Sequence, residues 1–183
     1  MEAEGEQITD GNHRPRVLVV DHIRTNLAVM MRRIGEAGYR VTAADCGANA
    51  IAELHRKAFD IVIAELYMPG IDGAELTMAI RGQAPWRDLP VMLITGKSEP
   101  RGAVRGYEAG ADDVILKPFH FEVLIARIER RLARIKSMHA LREDNAALDA
   151  RIVTRAIELG EMRDRWLAAE TERQRLAAMV REH

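Results

Sequence analysis

The run DIVIAELYMPGIDG at residues 60–73 decides the fold class. Its first half is apolar without polar alternation, which is typical of a strand covered on both faces in a parallel sheet. Its second half is rich in proline and glycine and predicts a turn followed by a helix that Asp72 caps. Glu65 is therefore predicted to lie where a buried strand ends.

The same rhythm of short aliphatic runs and longer helical segments extends on both sides of this stretch. Two of the helical segments end at glycines suited to a left-handed cap, Gly38 and Gly110. The alternation predicts an α/β fold with a five-stranded, doubly wound parallel sheet. The predicted strands are 16–20, 39–44, 60–65, 89–95 and 112–117, and the predicted helices are 25–36, 47–57, 74–82 and 101–109.

The ends of the predicted strands carry the candidate site. Ligands of doubly wound sheets bind beyond the carboxyl ends of the strands, where the strand order reverses. The residues at these ends are Asp21 and His22 after the first strand, Glu65 after the third, Thr95 after the fourth and Lys117 after the fifth.

From Phe121 to about Arg181 the chain has no proline and one glycine, which predicts an unbroken helix. Its first part has an apolar stripe suited to packing on the sheet, formed by Phe121, Ile125, Ile128, Leu132 and Ile135. After Ile135 the stripe slips by one residue, and a heptad seam follows in which ten of thirteen positions are apolar. The seam comprises Met138, Leu141, Asn145, Leu148, Ile152, Arg155, Leu159, Met162, Trp166, Ala169, Arg173, Leu176 and Val180.

This seam predicts a parallel homodimer through a coiled coil. Asn145 at a core position sets the register, whereas Arg155 and Arg173 weaken the seam locally. The alternative is a solitary helix or one folded back on its own domain, which would leave the apolar side chains in water. The predicted organisation is a flexible leader at 1–15, an α/β domain at 16–136 and a coiled-coil helix at 137–183 continuous with the last helix of that domain.

Composition narrows the function classes. The 183 residues are 48% apolar and carry a net charge of −1, so a packed core is expected and a polyanionic partner such as nucleic acid is not. The single cysteine, Cys46, excludes an intrachain disulfide framework. There is no apolar run of membrane-spanning length and no hydrophobic secretion signal, so we expect a cytoplasmic protein without membrane contact.

Four strings stand together in the order of one known family. VLVVDH at 17–22, the stretch at 60–73, VMLITG at 91–96 and EAGADDVILKPF at 108–119 make residues 16–136 resemble the receiver domain of bacterial two-component response regulators. The resemblance implies a flavodoxin-like fold in which an aspartate after the third strand accepts a phosphoryl group from a histidine kinase. It also implies Mg²⁺ held by that aspartate and an acidic pair after the first strand. Thr95 and Lys117 match the residues that hold the phosphoryl oxygens, and the Lys117–Pro118 peptide is implied to be cis.

The chain departs from the family at three positions. Glu65 replaces the phosphoacceptor aspartate, His22 replaces the second acidic residue, and Val114 replaces an aromatic switch residue. Mg²⁺ favours oxygen ligands, so only weak Mg²⁺ binding and no resident cofactor are expected. The extra methylene moves the Glu65 carboxylate toward Lys117 and Thr95. We therefore predict an atypical receiver, or pseudo-receiver, that is not phosphorylated in the usual way and is not itself an enzyme.

Several alternatives stay open on the sequence. Glu65 either mimics the phosphoryl group, drifted in after activity was lost, or is an engineered change. A Zn²⁺ or Mn²⁺ site at Asp21, His22 and Glu65 is less expected than a simple acidic cleft. The receiver could also work as a phosphorelay of low efficiency. Finally, it could regulate a protein partner or a fused output domain, as the front part of a cyclic-di-GMP phosphodiesterase, diguanylate cyclase or kinase.

Overall fold

A computed structural model describes residues 14–96 and 101–181, with side chains to residue 174. The predicted strands and helices are present, with ends that differ by one or two residues. A 3₁₀ helix before the fourth strand was not predicted. The elements are β1 (Arg16–Val20), α1 (Arg24–Glu36), β2 (Arg40–Ala44), α2 (Gly47–Arg56), β3 (Ile61–Glu65), α3 (Gly73–Gly82), the 3₁₀ helix (Ala84–Trp86), β4 (Val91–Gly96), α4 (Gly102–Glu108), β5 (Asp113–Lys117) and α5 (Phe121–Arg181).

The five strands form one parallel sheet in the order β2-β1-β3-β4-β5. This confirms the doubly wound sheet predicted from the sequence. The strand order reverses between β1 and β3, which is where such sheets open a crevice at their carboxyl ends. The register pairs Val20 with Ala64 and Glu65 with Ile94, so Asp21 and Glu65 leave adjacent strands at this crevice.

Apolar side chains cover both faces of the sheet, as the continuous aliphatic strands require. One face packs against α1 and the start of α5, where Leu124 and Ile128 are fully buried. The other face packs against α2, α3 and α4 and includes Leu54, Leu76 and Ile80. The fold therefore rests on two aliphatic layers that fix the positions of the strand ends.

The loop between β3 and α3 is held tightly, as the predicted cap requires. Asp72 Oδ1 accepts hydrogen bonds at 3.0 Å from the backbone N–H groups of Ala74 and Glu75, and Glu75 Oε2 accepts one from the N–H of Asp72. This capping box satisfies donors at the start of α3. At Gly73 an added Cβ would lie 2.4 Å from the carbonyl oxygen of Glu65, so only glycine lets α3 approach the end of β3 so closely.

The chain divides into two compact units, residues 1–133 and residues 134–183. In the second unit the apolar seam side chains from Met138 to Trp166 are exposed, with fractions from 42% for Met138 to 65% for Ile152. The side chains of Leu176 and Val180, and residues 1–13 of the predicted leader, lie outside the described part. None of the helices described has the length and apolar character needed to cross a bilayer.

Candidate functional site

Side chains from three strand ends and one helix meet in a cleft at the carboxyl edge of the sheet. Asp21 follows β1, Glu65 ends β3, Lys117 ends β5, and Asn26 lies in the first turn of α1. The cleft has a volume of about 470 Å³, and beside these polar groups its walls are mostly apolar. The apolar walls include Val29, Met30, Pro118, Phe119 and Phe121.

Glu65 and Lys117 form an ion pair at the centre of this cleft. Lys117 Nζ donates a hydrogen bond to Glu65 Oε2, and it lies 3.9 Å from Asp21 Oδ2. The Glu65 side chain is only 11% exposed, whereas the Lys117 side chain is 36% exposed. The pair is therefore largely shielded from water on the carboxylate side, where screening is weakest.

Burial governs the titration of Glu65. It raises the pKa of the Glu65 carboxyl above its ordinary value, because removing the carboxylate from water disfavours its charged form. The hydrogen bond and positive charge of Lys117 oppose this shift, while the nearby charge of Asp21 adds to it. The carboxylate thus depends on Lys117 for its charge balance.

Asp21 is buried and its two oxygens are already used within the chain. Oδ1 accepts a hydrogen bond at 2.8 Å from the backbone N–H of Ile23, and Oδ2 accepts one at 2.9 Å from Asn26 Nδ2. His22 Nδ1 lies 3.7 Å from Asp21 Oδ1, and the His22 ring is 38% exposed. Asp21 therefore anchors the start of α1.

These groups do not suit Mg²⁺. The ion needs near-octahedral oxygen ligands, but His22 offers nitrogen and Glu65 is bonded to Lys117. Both Asp21 oxygens already accept hydrogen bonds. Within residues 14–96 and 101–181 no group of three or more His, Cys, Asp or Glu side chains could hold a metal ion.

A family model described as the response regulator receiver domain matches residues 17–129, more than half of the chain. The chain belongs to this family. The chain is 33% identical over 153 residues to response regulator MprA of Mycobacterium tuberculosis, and the match covers 81% of this chain and 65% of that protein.

Two further similar proteins have names other than response regulator. Over 148 residues the chain is 31% identical to a "probable cyclic di-GMP phosphodiesterase" of Vibrio cholerae, covering 81% of this chain but 33% of that protein. The solved signal receiver domain of a histidine kinase from Syntrophus aciditrophicus is 34% identical, with a TM-score of 0.64, and the match covers 67% of this chain and 92% of that one. The chain thus spans about a third of the Vibrio cholerae protein and about two thirds of MprA.

The receiver keeps Thr95 and Val114 in buried positions. Thr95 is fully buried, and its Oγ1 has no hydrogen-bond partner in the part of the chain that the structure describes. Val114 is 8% exposed and lies where α4 approaches β5. The approach is close, since a Cβ added to Gly106 of α4 would lie 2.9 Å from Val114 Cγ2. The Lys117–Pro118 peptide is cis, as the family resemblance implies.

Sequence reasoning missed three contributors to the cleft. Asn26 hydrogen-bonds to Asp21, and Phe119 and Phe121 form part of the apolar wall. The signal for Asn26 is its position five residues after Asp21, within the first turn of a predicted helix. The two aromatic residues follow Lys117 directly, but their spacing alone does not show which way they face.

Proposed function

We propose that this protein is an atypical receiver in signal transduction and is not phosphorylated in the usual way. The observation that carries the proposal is the partly buried Glu65–Lys117 ion pair. In phosphoryl transfer a positioned cation neutralises the charge on the phosphoryl group. Here the same chain supplies an anion to that lysine.

The Glu65 carboxylate imitates only part of what a phosphoryl group provides. It carries a charge of −1, whereas a phosphoryl group carries about −1.5 to −2 near neutral pH. It is also fixed, because it is covalently part of β3 and packed into the cleft. The proposed receiver therefore holds one state permanently instead of switching with phosphorylation, and does no catalysis of its own.

We further propose that the output passes through a parallel homodimer of the α5 seam. Support comes from the exposed apolar side chains of the seam, such as Leu148, Ile152 and Leu159, which water would otherwise surround. Across a parallel interface Glu158 with Arg163 and Arg165 with Glu170 attract, whereas Asp144 with Asp149 repels, so the charges favour the parallel orientation modestly. A change in the register of this coil would transmit a signal to a partner or a downstream domain.

Intact-mass spectrometry after incubation with acetyl phosphate and Mg²⁺ tests the receiver proposal. The wild type should gain no phosphoryl group, because Glu65 replaces the acceptor aspartate and His22 replaces one member of the acidic pair. The matched positive control is His22→Asp with Glu65→Asp, which restores both carboxylates and should gain the adduct. A stoichiometric wild-type adduct that disappears in Glu65→Ala would instead identify a working phosphorelay.

Light scattering on the full chain tests the dimer. The substitutions Ile152→Gln with Leu159→Gln remove two seam side chains without lowering helix propensity much. Loss of association in this variant would support the seam as the interface. An unchanged mass would contradict it.

A second candidate is the regulatory part of a longer protein. It is favoured by the relative named a "probable cyclic di-GMP phosphodiesterase", of which the chain spans 33%. In that case the α5 coil would connect the receiver to an output domain. Reading the gene beyond the codon for His183 tests this candidate, because a catalytic domain in frame supports it and a stop codon excludes it.

A further inference from the structure

The second unit carries another apolar stripe besides the seam. This second stripe follows steps of four and three residues on a different face of α5 and occupies heptad positions b and f when the seam is a and d. Its apolar and small members are Ala146, Ala150, Val153, Ile157, Gly160 and Leu167, with Asp164 as its one polar interruption.

The second stripe faces away from the seam. Each residue turns an α-helix by about 100°, so positions b and f lie roughly 100° and 140° from position a. A two-stranded coil through the seam would therefore leave the second stripe in water. Its large side chains are exposed in the chain as described, with fractions of 58% for Val153, 59% for Ile157 and 45% for Leu167.

The composition of the second stripe is not that of a solvated helix face. Val153 and Ile157 are β-branched and form helices less readily than the polar residues usual at exposed positions. In the heptad before the stripe, the same b and f positions hold His139 and Glu143. The apolar face is thus restricted to residues 146–167, about 33 Å of helix.

We propose that a second coiled-coil dimer covers this stripe, so that four copies of the chain associate as a dimer of dimers. The inference rests on the seam dimer proposed above. That seam is interrupted by Asn145, Arg155 and Arg173, so one interface buries less apolar surface than an unbroken coil of the same length. The second stripe supplies additional apolar surface to the same helix.

The stripe is complementary to itself in an antiparallel arrangement. With two helices crossing at residue 155, Ile157 of each packs against Val153 of the other, and Ala150 packs against Gly160. The same crossing brings Asp149 of each helix beside Arg163 of the other, and both contacts lie along one flank of the interface. Size and charge therefore match over the central residues 149–163, whereas at the ends of the stripe the same crossing places Ala146 opposite Asp164 and Leu167 opposite Glu143.

A parallel arrangement of the stripe lacks this match. It would stack Ile157 on Ile157 and Gly160 on Gly160, so that large and small side chains do not compensate. Its flanking pairs would be Asp149 with Thr154 and Arg163 with Ala168, neither of which is an ion pair. The observations thus favour antiparallel contact between two dimers.

The mass of the full chain by light scattering, read with size-exclusion chromatography, tests the proposal. The wild type should have the mass of four chains. Val153→Gln with Ile157→Gln should halve it to two chains, because both changes lie outside the seam and glutamine is the better helix former. The matched control is His139→Gln with Thr171→Gln, which lie at heptad positions b and f but outside residues 146–167, and this variant should keep four chains.

Other results would overturn the inference in distinguishable ways. A wild-type mass of two chains that falls to one in Ile152→Gln with Leu159→Gln would rule out an interface at the second stripe and support the seam dimer. A wild-type mass of one chain would rule out both the seam dimer and the second-stripe interface. Four chains that persist in Val153→Gln with Ile157→Gln would show that another surface joins the dimers.

Discussion

Replacing Lys117 by methionine should destabilise the receiver by leaving the Glu65 carboxylate without its partner. Methionine keeps most of the apolar stem of the lysine, so packing against the cleft is largely preserved. What is lost is the ion pair between Lys117 Nζ and Glu65 Oε2. The effect therefore measures electrostatics rather than a cavity.

The expected magnitude follows from how far the pair is buried. Removing one partner of a fully buried pair costs about 3–5 kcal/mol, whereas exposed pairs contribute about 0–1 kcal/mol. Glu65 is 11% exposed but Lys117 is 36% exposed, which places this pair between the two cases. We expect Lys117→Met to lower the free energy of unfolding by about 1–3 kcal/mol at pH 7.

Urea unfolding followed by circular dichroism measures this loss, with Glu65→Gln and the double variant completing a thermodynamic cycle. The coupling between the two sites should be at least about 1 kcal/mol. Lys57→Met is the matched control, because Lys57 pairs with Glu53 at the surface and is 40% exposed. It should cost less than about 1 kcal/mol.

An additive cycle would refute the reasoning. If Lys117→Met and Glu65→Gln together cost the sum of their separate effects, the two side chains do not interact in solution. The loss in Lys117→Met should also shrink on acidification, because protonated Glu65 needs no counter-charge. A loss that is the same at pH 4 and pH 7 would contradict the ion pair as its cause.

Three further predictions concern the ends of β3 and α3. Burial raises the folded-state pKa of Glu65. The stabilisation that the protonated Glu65 carboxyl provides is therefore fully present below its unfolded pKa of about 4.5. The stability of the wild type relative to Glu65→Gln should thus fall as pH rises through the folded-state pKa, and a rise in paired urea titrations would be the wrong sign. Asp72→Ala should cost about 1–3 kcal/mol through loss of the cap and of the ion pair with Arg105, while Asp72→Asn should keep the cap; equal midpoints for the two in urea would argue against the capping box. Gly73→Ala should cost about 1–3 kcal/mol because its Cβ meets backbone, and an unchanged thermal midpoint would disprove that contact.

The parts of the fold that sequence could predict are those with a local chemical signature. The aliphatic run before Glu65 and the proline and glycine after it fix a strand and a turn without reference to the rest of the chain. Asp72 has the side chain and spacing of a cap, and the capping box confirms it. The position of the candidate site could also be predicted, because the side chains at the carboxyl ends of parallel strands meet at one edge of the sheet.

Contacts between residues far apart in the chain could not be predicted from the local sequence pattern. Arg81 donates to the carbonyl oxygens of Leu89 and Gly110 and to Asp112 Oδ2, joining α3 to the segments around β4 and β5. Nothing in its local sequence distinguishes it from an exposed arginine. Similarly, Leu124 is fully buried although the predicted apolar stripe of α5 passed through its neighbour Ile125.

Two arginines at the start of α5 show the same limit, because basic residues on a helix usually form a solvated face. In the structure Arg127 forms a hydrogen bond of 2.9 Å to Asp113 Oδ1, and Arg131 donates to the carbonyl oxygen of Asp112. Both partners lie in the segment where β5 begins, and only the three-dimensional packing brings them within reach.

Calorimetric titration with Mg²⁺ tests the central claim most directly, because the claim is that the receiver has replaced its metal and phosphoryl chemistry by a fixed ion pair. The wild type should release no heat of specific binding, while His22→Asp with Glu65→Asp should bind one Mg²⁺ per chain. Stoichiometric binding of Mg²⁺ by the wild type, abolished by Asp21→Asn, would contradict the account.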